Sequence, residues 1–248
     1  MKTVLISGAI GGIGNAAAAV FVRQGWRVIG VDHTAFEGPN PCTDFFLADL
    51  ADESQINELF VKVTELTDGL DALVNNAAVQ LCKPLLKTTA DEWDAVFAVN
   101  LRAAFLMMRH AFPLLRSRQG SIVNVGSVHA RATSRNISAY AASKGGLEAL
   151  TRAAALEFAV DGIRVNGIHP GAVETTMLKA GLNRNEEAHQ PPGNPVEQLG
   201  HKHPLGRIGQ PEEIAEAIMF LADGQKSSFV TGSFLIADGG ALAHLSTE

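Results

Sequence analysis

A repeated alternation constrains this chain more than any other feature: short β-branched apolar runs, each followed by a longer helical pattern. "TVLISG" gives way to the Ala-rich "GIGNAAAAVFVRQG", which ends at Gly25, and "RVIGVD" and "DFFLADL" follow. "DESQINELFVKVTEL" is amphipathic, with Asp52 or Ser54 available to cap it. Then come "LDALVNNAA", a helical stretch from about Asp91 to Leu115, and "GSIVNVGS". A helix from about Ile137 to Val160, "IRVNGIHPG", a helix from Pro211 to Leu221 and "SFLIADGG" complete the series. The strand runs are continuously apolar, which predicts a parallel sheet covered on both faces. Repeated strand–helix units imply right-handed crossovers, so the expected fold is α/β: a doubly wound sheet of about seven strands.

No linker, repeat or composition shift divides residues 1–248, so one domain is expected. The irregular region is about Thr176 to Gly209, where "NRNEEAHQPPGNPVEQLGHKHPLG" is too rich in Pro, Gly, Asn and His for a regular core element. A segment of that length in a compact domain predicts a lid over the site, mobile without ligand.

Composition excludes several classes. A net charge of −6 and the lack of a basic stripe leave no electrostatic footprint for nucleic acid. Cys42 and Cys82 are too few for a disulfide framework and read as reduced thiols of a cytoplasmic protein. At the start, Val4-Leu5-Ile6 is too short for a secretory core, and the four glycines of "SGAIGGIG" break any apolar continuation. No apolar stretch reaches the roughly 18 residues of a membrane span. His189, His201 and His203 lack ligand spacing on a regular element, so no metal is expected.

"SGAIGGIG" joins the first strand to the first helix, the place where a dinucleotide's pyrophosphate would sit. Glycines allow a tight turn there, and the helix start offers N–H groups and partial positive charge. A packing turn without ligand would look similar. Asp32 tips the balance: it closes the second strand 18 residues after Gly14, where a carboxylate can accept from both hydroxyls of an adenosine ribose. That carboxylate would repel a 2′-phosphate, and no Arg or Lys occurs between His33 and Asn40. The expected cofactor is NAD.

Tyr140 is the sole tyrosine in the chain, and Lys144 follows it by one helical turn. A free phenol, with a pKa of about 10, is a poor proton acceptor at neutral pH, and a neighbouring cation would lower that value. So tuned, the phenol could exchange a proton with an alcohol or a carbonyl. The spacing alone is equally compatible with a packed tyrosine and a solvated lysine.

The motifs taken together resolve this. "SGAIGGIG", Asp49-Leu50, "LVNNAA", Asn100, "NVGS", "YAASK", "IRVN" and "HPGAVET", in this order over essentially the whole chain, resemble the short-chain dehydrogenase/reductase family of Rossmann oxidoreductases. Ser7 departs from the usual threonine and Ala78 from the usual glycine of that pattern, both small for small. The resemblance implies Tyr140 as general acid/base, Ser127 polarising the substrate oxygen, Lys144 binding the nicotinamide ribose and depressing the Tyr140 pKa, and Asn100 anchoring a proton-relay water. It implies Gly8, Gly12, Ile13 and Gly14 at the pyrophosphate, Asp32 at the ribose, Asp49 and Leu50 at the adenine, and Asn76 on the adenosine side. Val173 and Thr175 would meet the nicotinamide carboxamide. A homotetramer is also implied, with the Tyr140 helix and the "ADGGALAHL" segment in its contacts.

Around the reacting carbon, His129 lies close enough in sequence to Ser127 to reach the substrate. Arg131 and Arg135 read as solvated loop charges sooner than as an anion clamp, and Trp93 and Met177 could line the pocket or pack. The expected activity is NAD-dependent interconversion of a small secondary alcohol (a sugar, a polyol or a hydroxyacyl thioester among them) and its ketone. The alternative is a catalytically silent NAD-binding redox sensor, which would have been free to lose Tyr140, Lys144, Ser127 or Asn100. An epimerase or dehydratase fits less well, because the chain lacks room for a larger substrate domain.

Overall fold

The structure, a computed structural model, describes residues 1–182 and 194–243. Seven strands form a single sheet: β1 (Thr3–Ser7), β2 (Arg27–Asp32), β3 (Asp44–Leu47), β4 (Ala72–Asn75), β5 (Ser121–Val125), β6 (Arg164–Pro170) and β7 (Phe234–Ala237). Their order is β3-β2-β1-β4-β5-β6-β7 and every pairing is parallel. This is the doubly wound Rossmann arrangement that the alternation predicts. Chain order reverses between β1 and β4, and a ligand crevice belongs at the carboxyl ends of the strands there.

The apolar runs are explained by what covers them. Leu5, Ile29, Leu73, Ile122 and Val165 face a core shared with α2 (Glu53–Leu66), α4 (Ala103–Arg116) and α5 (Ser138–Phe158). Val4, Ile6, Val28, Val74, Val123 and Ile168 face a second core built with α1 (Gly12–Arg23) and α8 (Pro211–Ala222). Side chains alternate between faces with period 2, so a sheet buried on both faces is apolar at most positions. Asp52 caps α2 by accepting from Ser54 N at 2.8 Å. α1 stops at Arg23, and Gly25, at φ +77°, makes the left-handed exit.

The expected helical stretch from about Asp91 to Leu115 is present, α3 (Ala90–Phe97) running through a π-helical segment, Ala98–Arg102, into α4. One expectation needs correction. Within 176–209, two short helices form where composition suggested none, α6 (Thr176–Leu182) and α7 (Pro195–Gly200). Local caps account for both: Thr175 Oγ1 accepts from Leu178 N, while Asn194 Oδ1 accepts from Val196 N just ahead of Pro195. The rest of the expected lid, residues 183–193, lies outside the described residues, as does His189. Among the described residues no helix is long and apolar enough to cross a membrane.

Candidate active site

Residues from the ends of five strands meet at one edge of the sheet: Gly8 after β1, Asp32 closing β2, Asn76 after β4, Ser127 after β5 and Val173 after β6. The glycine loop is tight because its geometry allows nothing larger. Gly8 sits at φ +65°, and a Cβ at Gly14 would overlap the Gly8 carbonyl oxygen. The N–H groups of Gly12, Ile13 and Gly14 have no acceptor among the described residues, as expected of a helix start. Thr175 leans over this loop, with its Cγ2 2.8 Å from where a Gly12 Cβ would lie. The loop thus presents backbone N–H donors at the start of α1, the kind of surface that suits an anion.

Asp32 is buried and braces the same loop. Its Oδ2 accepts from Ile10 N at 3.0 Å, and its Oδ1 accepts from His33 N at 2.8 Å and faces His33 Nδ1 at 2.9 Å. Ser7, in place of threonine, keeps the hydroxyl that matters: Oγ accepts from Asn76 N at 3.0 Å and Ala77 N at 3.1 Å. The Asn76 amide donates to the Ser7 and Gly8 carbonyls, so it sutures the ends of β1 and β4 at the loop. Leu50 is buried in the core, whereas Asp49 is exposed and orders its own turn by accepting from Ala51 N.

Tyr140 and Lys144 occupy one face of α5, both buried. The Ser127 hydroxyl lies toward the Tyr140 phenol and favours its ionised form. Ser127 Oγ accepts from His129 N at 3.1 Å, which leaves its proton free to donate toward the phenol or a substrate oxygen. The His129 ring stands edge-on to Tyr140, centroids 5.9 Å apart, and its Nδ1 lies 3.0 Å from Thr133 Oγ1. His129 therefore belongs to the rim of this site.

Burial sets the electrostatics of this pair. Lys144 Nζ donates to Val125 O at 2.8 Å and stands 5.6 Å from the phenol ring centre. Burial dominates both groups, raising Tyr140 despite the Ser127 hydroxyl and pushing Lys144 down to about 8.

Asn100, buried in the π-helical segment, is also more committed than a relay group needs to be. Its Oδ1 accepts from Val79 N, and its Nδ2 donates to Val79 O and to Ser143 Oγ, which in turn donates to Tyr140 O. What its side chain retains for water is one further Oδ1 lone pair. Insertions of this kind recur at functional sites, where they turn a side chain out of helical register.

Other expected residues sit apart from the phenol. Arg131 is half-exposed and pairs with Glu148 at 3.1 Å, and Arg135 is exposed. Trp93 stacks on Phe97, while Met177 lies on the exposed first turn of α6. His203 is buried, its Nδ1 2.9 Å from Leu199 O, and no group of three His, Cys, Asp or Glu side chains converges among the described residues. Sequence reasoning passed over His169 and Glu148, which lie directly behind Ser127. The signal for Glu148 was its position one turn beyond Lys144, on the Tyr140 face of the same helix.

A parallel doubly wound sheet with a glycine loop at its switch point and a buried Ser–Tyr–Lys cluster after β5 and on α5 is the arrangement of a dinucleotide-binding oxidoreductase. The chain belongs to the short-chain dehydrogenase/reductase family: the family model described as "Enoyl-(Acyl carrier protein) reductase" matches residues 8–241. It is 33% identical to a cyclopentanol dehydrogenase of a Comamonas species, over 98% of both chains. The solved aldohexose dehydrogenase of Thermoplasma acidophilum superposes with a TM-score of 0.91 at 30% identity, covering 99% of this chain and 95% of that one. ElxO, solved with NADP bound, superposes with a TM-score of 0.85 at 28% identity, covering 98% and 99%. The family works with a nicotinamide cofactor.

Proposed function

We propose that this protein interconverts a small secondary alcohol and its ketone with NAD as the redox partner. One observation carries the reading: the only phenol in the chain is buried, faces the Ser127 side chain, and stands one turn from a buried ammonium. Gly8, Gly12, Ile13 and Gly14 would hold the pyrophosphate, Asp32 the adenosine ribose, Asp49, Leu50 and Asn76 the adenosine surroundings, and Val173 and Thr175 the carboxamide. When bound, the nicotinamide accepts or delivers the hydride at the reacting carbon. Ser127 donates its free proton to the substrate oxygen and holds it against Tyr140. Tyr140 takes the hydroxyl proton in oxidation or gives one in reduction. Lys144 would bind the nicotinamide ribose, and Asn100 would anchor a water that relays protons outward. The test is purified protein with NAD against sugars, polyols, cyclic and open-chain secondary alcohols and hydroxyacyl thioesters, followed by NADH absorbance. Tight NAD binding with no turnover on any of them would favour the silent sensor.

Asp32 is the proposed basis of the choice of NAD. Its buried carboxylate would meet a 2′-phosphate with like charge, and a difference of about 1.4 kcal/mol is already tenfold in affinity. Asp32→Ala is expected to narrow the NAD preference in kcat/KM, and His33→Arg to move it toward NADP. Equal wild-type values for the two cofactors, or a preference for NADP, would remove Asp32 from this role.

We also propose that the working unit is a homotetramer. Phe97, Leu101, Phe105 and Leu150 line an apolar hollow on the outer side of α4 and α5, and Leu235 and Ile236 leave apolar surface on β7. Light scattering should give a species about four times the 26.2 kDa chain, and a monomer at working concentration would refute it.

A further inference from the structure

Gly126 N donates to Ile168 O at 2.7 Å, the last main-chain bond between β5 and β6 at this edge. One residue further on, the sheet is continued by a side chain. Ser127 N donates to His169 Nδ1 at 3.1 Å, and His169 is fully buried. The imidazole fits because residue 126 is glycine: a Cβ there would stand 2.5 Å from Nδ1. Phe234 of β7 stacks on the other side of the ring, centroids 4.2 Å apart and planes at 17°.

The tautomer is set by the partners. Nδ1 accepts from an amide, so Nε2 carries the proton and donates it to Glu148 Oε2 at 3.0 Å. Glu148 lies on α5, one turn beyond Lys144 and two beyond Tyr140. Its other oxygen receives Arg152 at 2.7 Å and Arg131 at 3.1 Å, the latter from the loop after Ser127. A chain of hydrogen bonds thus ties the Ser127 amide through His169 and Glu148 to the helix that carries the phenol.

We infer that His169 and Glu148 form a positioning pair that fixes the Ser127 hydroxyl against Tyr140, and that it works only while His169 is neutral. An imidazolium would turn a second donor toward the Ser127 amide, lose the bond and displace the hydroxyl. Burial holds His169 below its ordinary range, as do Arg131 and Lys144, while Glu148 pulls it upward. Glu148, which burial pushes up, is held below the usual carboxylate range by its bonds from His169 and Arg131. The pair therefore rests in the required state at neutral pH and fails on acidification.

This inference rests on the dehydrogenase reading, and the sole tyrosine allows it to be tested apart from that reading. Tyrosine labelled with ¹³C at Cζ gives one resonance, whose titration reports the Tyr140 phenol with or without a known substrate. His169→Phe keeps the ring stack and removes the acceptor. It should raise the midpoint of that titration, because the Ser127 hydroxyl that favours phenolate is displaced. On a confirmed substrate it should cost roughly ten- to a hundredfold in kcat with NAD affinity unchanged. His169→Asn supplies an amide oxygen to the Ser127 N–H and should recover most of both effects. Glu148→Gln removes the charge that favours imidazolium, so the acid limb of kcat/KM should move to lower pH. A wild-type titration in folded His169→Phe, or equal damage in the Phe and Asn variants, would overturn the role of His169. An unmoved acid limb in Glu148→Gln would overturn that of Glu148. Failure of every alcohol in the wild type would count against the dehydrogenase reading alone, since the phenol titration still decides the positioning pair.

Discussion

Tyr140→Phe is expected to lower kcat by about 10²–10⁴-fold while NAD affinity stays within about twofold. The substitution removes one oxygen from a buried ring and leaves the edge-on contact with His129 intact. Ser127 keeps its bond from His129 N, so the substrate oxygen still finds a donor and loses only the group that exchanges a proton with it. Turnover should fall far more than binding, because the lost interaction develops in the transition state. The raised phenol pKa adds a direction: in the wild type, alcohol oxidation should accelerate as pH rises into the alkaline range, where the base form appears. Ketone reduction, which needs the protonated phenol, should persist at neutral pH. Near-normal kcat for Tyr140→Phe on a confirmed substrate would show that another group moves the proton.

Local chemistry explains which parts of this molecule were legible in its sequence. The glycines after β1 and the carboxylate closing β2 are dictated by backbone geometry within a few residues, so pattern alone placed them. The four-residue spacing of Tyr140 and Lys144 is likewise a helical fact. Contacts between elements distant in sequence were not legible. Nothing in "YAASK" reveals that the ammonium donates to Val125 O at the end of β5. His169 and Glu148, 21 positions apart, meet only once β6 lies beside β5, and a histidine within "HPG" carries no local sign of its partner. The π-helical turn at Asn100 escaped for the opposite reason: its flanks are good helix formers, and the register slip is fixed by the hydrogen bonds from Asn100 to Val79 and Ser143. The short helices α6 and α7 form through caps, which a composition-based reading of 176–209 does not weigh.

The same buried lysine sets up the second large effect, on stability. Lys144→Met is expected to abolish turnover and yet raise the melting temperature at pH 7. In the folded chain the ammonium is buried with Val125 O as its acceptor, and desolvation brings it from an ordinary 10.5 to about 8. Each pKa unit is about 1.4 kcal/mol, so holding this charge inside opposes folding by about 3 kcal/mol. Methionine fills a similar volume without the charge. It strands the Val125 carbonyl, which returns about 1 kcal/mol, leaving a gain of about 1–3 kcal/mol and a rise of roughly 2–10 °C. Proton uptake sets the sign of the pH dependence. Because the folded value lies below the unfolded one, the unfolded chain binds more protons between about 8 and 10.5, and wild-type stability recovers as pH rises through that window. The advantage of Lys144→Met should be full below pH 8 and shrink toward pH 10.5, while other titrations common to both proteins cancel in the difference. Denaturant melts of the pair at pH 7 and pH 10 check this. A methionine variant less stable than wild type at pH 7, or a gap that does not change between the two, would mean that Lys144 is not held in the fold at the expense of stability.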